Sequence, residues 1–298
     1  MMPAKSNSSL RGQLLENEPM SRHTSWRVGG PADRFYIPAD LDDLAVFLES
    51  LPPQPVHWVG LGSNVLVRDG GVRGTVIVTS GALNSLSLVG DGAVRAEAGV
   101  ASAKVARFGA DRGLVGAEFL AGIPGTVGGA LAMNAGAFGG ETWKIVEAVE
   151  TIDRQGERRR RLPADYRIGY RSVRGPQNEW FVAALFRLHA GDALRGKTLI
   201  KSLLARRGTT QPTQLPNAGS VFKNPPDDHA ARLIEASGLK GVCEGRACVS
   251  DLHANFIVNQ GGATAADIER LISRIQATVE NLHGVTLESE VRFIGDPA

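Results

Sequence analysis

The chain has 298 residues, 43% of them hydrophobic, and its 33 Lys and Arg nearly balance its 31 Asp and Glu. At roughly 150 residues per domain, this length predicts about two globular domains with a sizeable core. The balanced charge and the apolar content exclude a disordered chain and a dedicated polyanion-binding protein. Glycine is the outlier, at 36 residues against a usual level of about 7%, so the positions where glycines cluster are the most informative.

The N-terminal sequence and the number of cysteines bear on the cellular compartment of the protein. The N-terminal stretch is polar, and no apolar run approaches the ~20 residues that span a bilayer. We therefore expect a cytoplasmic protein with no membrane partner and with residues 1–17 mobile. Cys243 and Cys248 are the only cysteines, too few for a disulfide framework. We expect structural thiols and no bound metal, because a metal site on this pair would need roughly two further ligands.

Hydrophobic periodicity predicts an α+β start. A short amphipathic helix should begin after Asp40, a good N-cap residue, and end before Pro52. β-rich runs separated by glycine turns follow at residues 56–60, 64–67 and 75–79. A strand at 93–98 and a helix at 101–112 complete this part, with Gly113 as the stop signal.

After residue 113 the pattern changes to a long glycine-rich loop that should run to Gly140. A hairpin with strands at 145–153 and 157–162 follows, and then a strand at 181–188. A domain boundary is expected near Gly191. The predicted domains are therefore residues 18–190, in two subdomains divided near residue 80, and residues 191–298.

The C-terminal part has its own order of elements. Helices are predicted at 193–207 and 227–237, and a strand at 255–259. Thr264 is an N-cap candidate for a long helix whose apolar stripe ends at Gly284. A last strand should span residues 285–294, and its period-two alternation places three charged residues on one face: Glu288, Glu290 and Arg292.

Two glycine-rich segments are candidates for binding a nucleotide. Residues 60–64 lie between two predicted strands and can turn several backbone N–H groups toward one point. This segment is not the dinucleotide fingerprint, because Val65 stands where a third glycine is needed, and a plain turn is the alternative. Residues 122–140 contain seven glycines and are too flexible to be ordered unless something large lies against them. Together the segments suit a dinucleotide, with its pyrophosphate on one and its ring system on the other.

Seven sequence runs occur in an order that resembles the UDP-N-acetylenolpyruvoylglucosamine reductase family. They are HTSWRVGGPAD from residue 23, GLGSNVLVRDGGVRG from 60, GIPGTVGGALAMNAGAFGGE from 122, YR at 170–171, NAGSVFKNP from 217, HANFIVN from 253 and LESEVRFIG from 287. The resemblance extends from about residue 18 to residue 295. It implies a p-cresol methylhydroxylase-type FAD-binding fold plus a C-terminal α+β substrate-binding domain, in the subtype that lacks an extra substrate-covering insert.

The resemblance also implies an activity. Members of this family are FAD enzymes of peptidoglycan precursor synthesis that hold FAD without a covalent bond. They take hydride from NADPH and reduce UDP-N-acetylenolpyruvoylglucosamine to UDP-N-acetylmuramate, which makes them oxidoreductases acting on a CH–CH group. The expected partners of this chain are therefore FAD, NADPH and the UDP-sugar, with no nucleic acid, and we expect a monomer.

The resemblance also implies roles for individual residues that match the family's motifs. Ser220 matches the family's general acid, which is an unusual role for a hydroxyl but is adequate toward an enolate-like dianion. Arg171 and Glu290 match the pair that binds the substrate carboxylate and stabilises the intermediate. The implied cofactor contacts are Gly60, Leu61, Gly62, Ser63, Asn64, Val65, Ile123, Pro124, Gly125, Thr126, Gly128, Gly129, Asn134, Gly136 and Arg292. The implied substrate contacts are Tyr170, Lys223, Asn224 and Asn255.

Two other functions stay open on the sequence alone. A flavin oxidase could use the same type of FAD domain, because fold does not fix function. A non-catalytic nucleotide-binding module, or an RNA-associated protein that uses the basic run at residues 158–161, is the other alternative. Bleaching of a bound flavin by NADPH and its recolouring by the enolpyruvyl sugar would separate the reductase from both.

Overall fold

The computed structural model describes residues 10–90 and 92–298, and these residues form two sheet-based lobes and a C-terminal unit. Buried apolar side chains gather in four clusters, two of which join different parts. Trp26 and Leu66 pack into the core of the C-terminal unit. Ile152 and Val182 of the second lobe pack with the helix of the first. Helices and strands are mixed along the whole chain. The predicted α+β class is confirmed.

The first lobe is a mixed sheet with one helix. Its elements are β1 (Gln13–Pro19), β2 (Pro31–Ile37), α1 (Leu41–Ser50), β3 (Val56–Val59), β4 (Val65–Val67) and β5 (Val72–Val78). The sheet order is β1-β2-β5-β3, in which β1 is antiparallel to β2 and the other contacts are parallel. Helix α1 begins at the predicted cap, because the Asp40 side chain accepts from the backbone N–H groups of Asp42 and Asp43.

The N-terminal segment differs in part from the prediction of a mobile stretch through residue 17. Residues 13–17 belong to β1, which pairs with β2 along its whole length. The Leu15 side chain packs against the apolar core of the sheet, and this burial together with the ladder orders the strand. Residues 1–9 lie outside the described residues.

The second lobe is an antiparallel sheet covered by helices. Its elements are β6 (Leu86–Val89), β7 (Ala93–Glu97), α2 (Ser102–Asp111), β8 (Leu114–Val115), α3 (Val127–Met133), β9 (Gly136–Ala137), β10 (Gly140–Glu141), β11 (Val146–Asp153), β12 (Arg158–Arg161), β13 (Arg167–Gly169), β14 (Ser172–Arg174), β15 (Glu179–Arg187), β16 (His189–Ala190) and α4 (Ala193–Thr210). The main sheet has the order β12-β11-β15-β7-β6. Ile200 of α4 lies in the core of this lobe, although the sequence grouped α4 with the C-terminal domain.

The prediction of an uninterrupted loop from residue 113 to residue 140 is wrong, because this segment contains α3. Glycine has low helix propensity, so Gly128 and Gly129 in the first turn conceal the helix from sequence patterns. The glycines allow close packing, since a Cβ on Gly128 would lie 3.0 Å from the Cβ of Ala98. The buried side chains of Ala130 and Leu131 then hold α3 against the core.

The C-terminal unit consists of α5 (Ala230–Ala236), β17 (Cys243–Glu244), β18 (Ala247–Val249), β19 (Ile257–Asn259), α6 (Ala265–His283) and β20 (Arg292–Ile294). The predicted capping box of α6 is confirmed, because Thr264 and Asp267 exchange hydrogen bonds of 3.0 Å. Neither α6 nor any other helix in the described part of the chain is long and apolar enough to cross a membrane. The predicted strand at 285–294 is shorter than expected and forms only at β20.

The expectation of free thiols is corrected by the structure, in which Cys243 and Cys248 form a disulfide. The two residues are direct partners across the antiparallel β17–β18 hairpin, and their Cα atoms lie 4.1 Å apart. Directly opposed residues on an antiparallel pair bring their side chains together. The sequence separation alone does not reveal this pairing, because the register of the hairpin decides it.

The C-terminal unit is joined to the first lobe at the end of loop 60–64. Strand β20 pairs in parallel with β4, so that Arg292 is opposite Val65. The Asp69 carboxylate accepts from the first two N–H groups of α6, at Ala265 and Ala266, both at 2.9 Å. These contacts fix the position of the C-terminal unit relative to loop 60–64.

We expect Asp69→Ala to lower the free energy of unfolding by about 1–2 kcal/mol, because two N–H groups at the start of α6 lose a charged acceptor. Asp111→Ala is the matched control, since it removes only an exposed ion pair with Lys197, and it should lower the stability much less than Asp69→Ala does. Urea unfolding of both variants measures the difference. Equal losses would contradict the role assigned to Asp69.

Candidate active site

Loop 60–64 approaches neighbouring segments so closely that two of its glycines are required. Gly62 has a φ of 61°, and a Cβ on it would lie 2.1 Å from the carbonyl oxygen of His23. A Cβ on Gly60 would lie 2.3 Å from Thr126 Oγ1. Any other residue at either position would therefore displace the neighbouring segment.

The two glycine-rich segments predicted to bind a nucleotide meet at this point. Besides the approach of Gly60 to Thr126, a Cβ on Gly125 would lie 3.2 Å from Ser63 Oγ. Thr126 Oγ1 is buried and has no hydrogen-bond partner among the described residues. Backbone N–H groups and hydroxyls on a surface with few side chains fit the pyrophosphate of a dinucleotide such as FAD.

The other predicted cofactor residues of the second segment have different surroundings. Gly128 faces Ala98 of the lobe core, and Gly136 lies in β9, where its carbonyl oxygen accepts from Arg171 Nη2 at 3.0 Å. Gly129 lies in the first turn of α3. Ile123 is buried in the core of the second lobe. Their predicted contacts with a cofactor stay predictions.

The Asn134 side chain is turned into the protein, and its predicted cofactor contact stays a prediction. Its side chain is only 2% exposed, and Nδ2 donates to the carbonyl oxygen of Gly169 at 3.1 Å. Its Oδ1 accepts from the backbone N–H of Trp143 at 3.1 Å, and its backbone carbonyl accepts from Arg171 Nη1 at 3.3 Å. Asn134 therefore connects α3 to the β13–β14 hairpin that carries Arg171.

Asn64 connects loop 60–64 to the C-terminal strand. Its Nδ2 donates to the carbonyl oxygen of Glu290 at 3.0 Å, and its carbonyl oxygen accepts from the backbone N–H of Arg292 at 3.0 Å. The Arg292 side chain is exposed. Loop 60–64 therefore lies directly against the segment that carries Glu290.

Arg171 and Glu290 form an ion pair although they lie 119 residues apart in the chain. Arg171 Nε donates to Glu290 Oε1 at 2.9 Å, and both side chains are largely buried. Arg171 has a φ of 50°, at the tip of the hairpin between β13 and β14. A guanidinium has five N–H donors, so donors remain for an incoming carboxylate beyond the three bonds to Glu290, Asn134 and Gly136.

Burial raises the pKa of the Glu290 carboxyl above its ordinary value of 4.5. The positive charges of Arg171 and Lys223 act in the opposite direction but do not offset the desolvation. A carboxyl with a raised pKa beside a guanidinium is typical of a functional site more than of a stabilising surface pair.

Ser220 lies next to this ion pair through backbone contacts. The carbonyl oxygen of Val221, the next residue, accepts from the Glu290 N–H at 2.8 Å. Gly219 precedes the serine with a φ of 74°. The serine is half-buried, and within residues 10–90 and 92–298 its hydroxyl has no hydrogen-bond partner. A hydroxyl in that state is available to a ligand.

Two predicted substrate residues lie at the rim of this site. Tyr170 is 49% exposed and its ring centroid lies 5.1 Å from the Arg171 guanidinium. Lys223 Nζ lies 2.5 Å from Glu288 Oε1, and its charge acts on Glu290.

Asn224 and Asn255 are instead engaged with the protein. Asn224 Oδ1 accepts from the N–H of Ala230, the first residue of α5, at 3.1 Å. Asn255 is 4% exposed, and its amide accepts from the Phe222 N–H at 2.9 Å and donates to the Phe222 carbonyl at 2.8 Å. Asn255 therefore fixes the turn that follows Ser220, and its predicted substrate contact stays a prediction.

Sequence patterns did not identify the arginines that line the cleft beside loop 60–64. Arg207 lies in the last turn of α4, and Arg27 follows the buried Trp26 in an N-terminal turn. Arg27 lies in the run that begins at residue 23, but that run implied no role for it, and Arg207 lies outside the seven runs. Only the fold shows that they face the same cleft.

Glu290→Gln should change how stability depends on pH. Because the folded protein holds the Glu290 proton more tightly than the unfolded chain does, the wild-type free energy of unfolding falls as pH rises from about 4.5 through the raised pKa. The variant lacks this fall, so its stability relative to wild type should increase with pH. Urea unfolding between pH 4.5 and pH 8 measures the difference in free energy of unfolding between the variant and wild type. Glu288→Gln, at an exposed residue, is the control. A wild-type advantage that grows with pH would contradict the assignment.

Comparisons with known proteins bear on the family and on the fold. A family model described as the C-terminal domain of UDP-N-acetylenolpyruvoylglucosamine reductase matches residues 211–294, and one described as an FAD binding domain matches residues 32–161. The crystal structure of UDP-N-acetylenolpyruvylglucosamine reductase from Thermus caldophilus has a TM-score of 0.83 and 32% identity, covering 96% of this chain and 100% of that chain. The predicted FAD-binding fold is confirmed.

Relatives named UDP-N-acetylenolpyruvoylglucosamine reductase match nearly the whole chain. The one from Methylococcus capsulatus is 60% identical over 294 residues, which cover 98% of this chain and 97% of the relative. The one from Alkalilimnicola ehrlichii is 59% identical over 286 residues, which cover 96% of each. The chain belongs to the UDP-N-acetylenolpyruvoylglucosamine reductase family.

Proposed function

We propose that this protein is an FAD-dependent oxidoreductase that reduces UDP-N-acetylenolpyruvoylglucosamine to UDP-N-acetylmuramate in peptidoglycan precursor synthesis, with NADPH as hydride donor. The observation that carries the proposal is the meeting of Arg171, Glu290 and Ser220 beside loop 60–64, from three remote parts of the chain. The names of the relatives support the substrate.

The junction of loop 60–64 with residues 123–126 would hold FAD. Backbone N–H groups of these loops, with the hydroxyls of Ser63 and Thr126, supply donors for the pyrophosphate. When bound, FAD supplies hydride transfer, which no side chain can provide. The matched FAD binding domain, residues 32–161, includes both loops.

Arg171 would bind the substrate carboxylate. Its Nε is held by Glu290, and its Nη1 and Nη2 by the carbonyls of Asn134 and Gly136. The guanidinium is thereby oriented before substrate arrives, and its remaining N–H groups can form charge-assisted bonds to a carboxylate. Negative charge grows beside that carboxylate during reduction, so a fixed cation stabilises the transition state more than the ground state.

Ser220 would complete the reduction as general acid. The hydride equivalent forms the new C–H bond at the terminal alkene carbon, and the π electron pair moves to the carbon beside the carboxylate. The Ser220 O–H bond then breaks as its proton bonds to that carbon, and solvent returns a proton to the serine oxygen. Because the hydroxyl has no partner in the described part of the chain, it can turn toward this carbon without losing a hydrogen bond.

The same proposal includes the remaining contacts. Tyr170 and Lys223 lie at the rim, where they would contact the sugar or the diphosphate. Asn224 and Asn255 would act through the backbone turns that they hold. Location in the cytoplasm and a monomeric state stay predictions.

Ser220→Ala should separate the two halves of the reaction. Anaerobic bleaching of the flavin by NADPH should proceed at the wild-type rate, because that step needs no proton from Ser220. Recolouring by the enolpyruvyl sugar should slow by about 10²–10⁴-fold, the usual contribution of a general acid. Stopped-flow absorbance of the flavin measures both steps.

Ser220→Cys is the matched control, because a thiol also carries a proton and should retain more of the second step than alanine does. Equal rates of recolouring in wild type and Ser220→Ala would overturn the role of Ser220. Recolouring by air but not by the sugar would favour an oxidase.

A further inference from the structure

A pocket with a volume of ≈ 340 Å³ lies on the hairpin of β13 and β14, whose tip carries Arg171. The residues that line it are Arg167, Ile168, Gly169, Ser172 and Arg174. Ile168 and Val173 are opposite each other in the hairpin and pack against the core of the second lobe. Their neighbours along each strand, including both arginines, therefore project from the outer face of the hairpin.

The two arginines of this pocket are placed against each other. Arg167 and Arg174 are direct partners in the antiparallel ladder, and like charges at such a pair are destabilising. Both residues are exposed, and neither guanidinium has an ion-pair partner within residues 10–90 and 92–298. No carboxylate is among the described residues that line the pocket. Two unpaired cations side by side attract an anion.

Next to the arginines, the outer face of the hairpin offers open space and a hydroxyl. Gly169 and Ser172 form the pair that lies two residues, or about 7 Å, nearer to the tip. A Cβ on Gly169 would have no atom within 4 Å, so the space above it is open. The half-buried Ser172 has no hydrogen-bond partner for its hydroxyl in the described part of the chain. Two guanidinium forks and a free hydroxyl are donors that suit phosphate oxygens.

The charge and the position of these donors favour a terminal phosphate monoester. A monoester carries a charge of about −1.5 to −2 at neutral pH and has three acceptor oxygens, which two guanidinium groups and a hydroxyl match. The arginines are exposed at the base of the hairpin, whereas Arg171 lies at its tip beside Glu290. The pocket can therefore hold one end of a ligand whose other end reaches the site at the tip.

We propose that Arg167, Arg174 and Ser172 bind the 2′-phosphate of NADPH and thereby select NADPH over NADH. The inference rests on the proposed function, in which NADPH is the hydride donor. Among the ligands of that function only NADPH carries a phosphate monoester, because the phosphates of FAD and of the UDP-sugar are joined in diphosphates. The 2′-phosphate is also the group that distinguishes NADPH from NADH, and arginine commonly accommodates it.

A hairpin edge that binds no ligand gives a different expectation. Arginine side chains are mostly exposed and hydrated in proteins, and water weakens the repulsion between two of them. In that case replacing either arginine with alanine leaves every nucleotide affinity unchanged. The free energy of unfolding would stay the same or rise, because a like-charge pair is removed.

The test compares Arg167→Ala and Arg174→Ala with Arg107→Ala in the full-length, flavin-loaded protein. Arg107 is an exposed arginine of α2 that does not line the pocket, so it is matched in charge and exposure. Calorimetric titrations with adenosine 2′,5′-bisphosphate and with adenosine 5′-diphosphate give two affinities for each protein. Only the first ligand carries a 2′-phosphate, so the ratio of the two affinities isolates the contribution of that group.

We expect this ratio to fall at least about tenfold in Arg167→Ala and in Arg174→Ala, as the loss of charge-assisted bonds predicts. It should change less than about twofold in Arg107→Ala. Ser172→Ala should lower the ratio by a smaller factor than the arginine variants do, because it removes one neutral donor. Equal wild-type affinities for the two ligands, or an unchanged ratio in both arginine variants, would overturn the proposal.

Bleaching of the flavin extends the comparison to the hydride donors themselves. In anaerobic stopped-flow experiments, wild type should reach its half-maximal bleaching rate at a lower concentration of NADPH than of NADH. The arginine variants should lose at least about tenfold of that preference. A preference that is the same in wild type and in both arginine variants would contradict the assignment.

The titrations do not depend on reduction of the enolpyruvyl sugar. If the protein does not reduce that sugar, but the arginine variants lose their selectivity for the 2′,5′-bisphosphate, the phosphate site stands and the proposed function fails. If the arginine variants reduce the sugar with NADPH as wild type does, with unchanged affinity ratios, the proposed function stands and the phosphate site fails.

Discussion

The parallel pairing of β20 with β4 is the contact on which the site depends. It places the C-terminal strand against the loop that follows β3, and the bonds between Asn64, Glu290 and Arg292 continue this contact into the loop. Glu290 is thereby carried from the C-terminal unit to Arg171 of the second lobe. Because a buried ion pair contributes little net stability, the packed cores hold the lobes together and the ion pair serves the chemistry.

A second constraint is space for a large flat ligand, and the glycine-rich segments provide that space. Loop 60–64 approaches residues 123–126 so closely that a side chain on Gly60 is excluded, and the backbone at His23 excludes one on Gly62. The surface that they share is therefore backbone and small hydroxyls. Such a surface is stabilised little by its own side-chain packing. It suits a cofactor that supplies the missing contacts.

The sequence predicts elements well where the signal is local. Helix α6 was identified because its cap, apolar stripe and terminal glycine agree, and α1 because Asp40 precedes a regular pattern. The sequence does not predict helix α3, because glycine has low helix propensity and weakens the helical pattern. It does not predict the disulfide either, because the register of the β17–β18 hairpin decides which residues face each other. Segment 285–291 alternates like a strand, but only an isolated bridge at Ser289 joins it to Phe222.

The site was predictable only from the resemblance between whole motifs. Taken singly, Ser220, Arg171 and Glu290 are ordinary polar residues, and no spacing relates them. The inward orientation of the Asn134 side chain and the cleft position of Arg207 depend on packing between remote segments. Long-range contacts of this kind leave no periodic trace in a sequence.

The central claim is that these remote segments assemble a flavin-dependent reductase. Anaerobic spectrophotometric titration of the purified wild-type protein tests it most directly. The account predicts a yellow protein with about one FAD per chain, bleached by NADPH and restored to colour by stoichiometric enolpyruvyl UDP-sugar. A protein that takes up no FAD, or whose reduced flavin is indifferent to that sugar, would contradict the account.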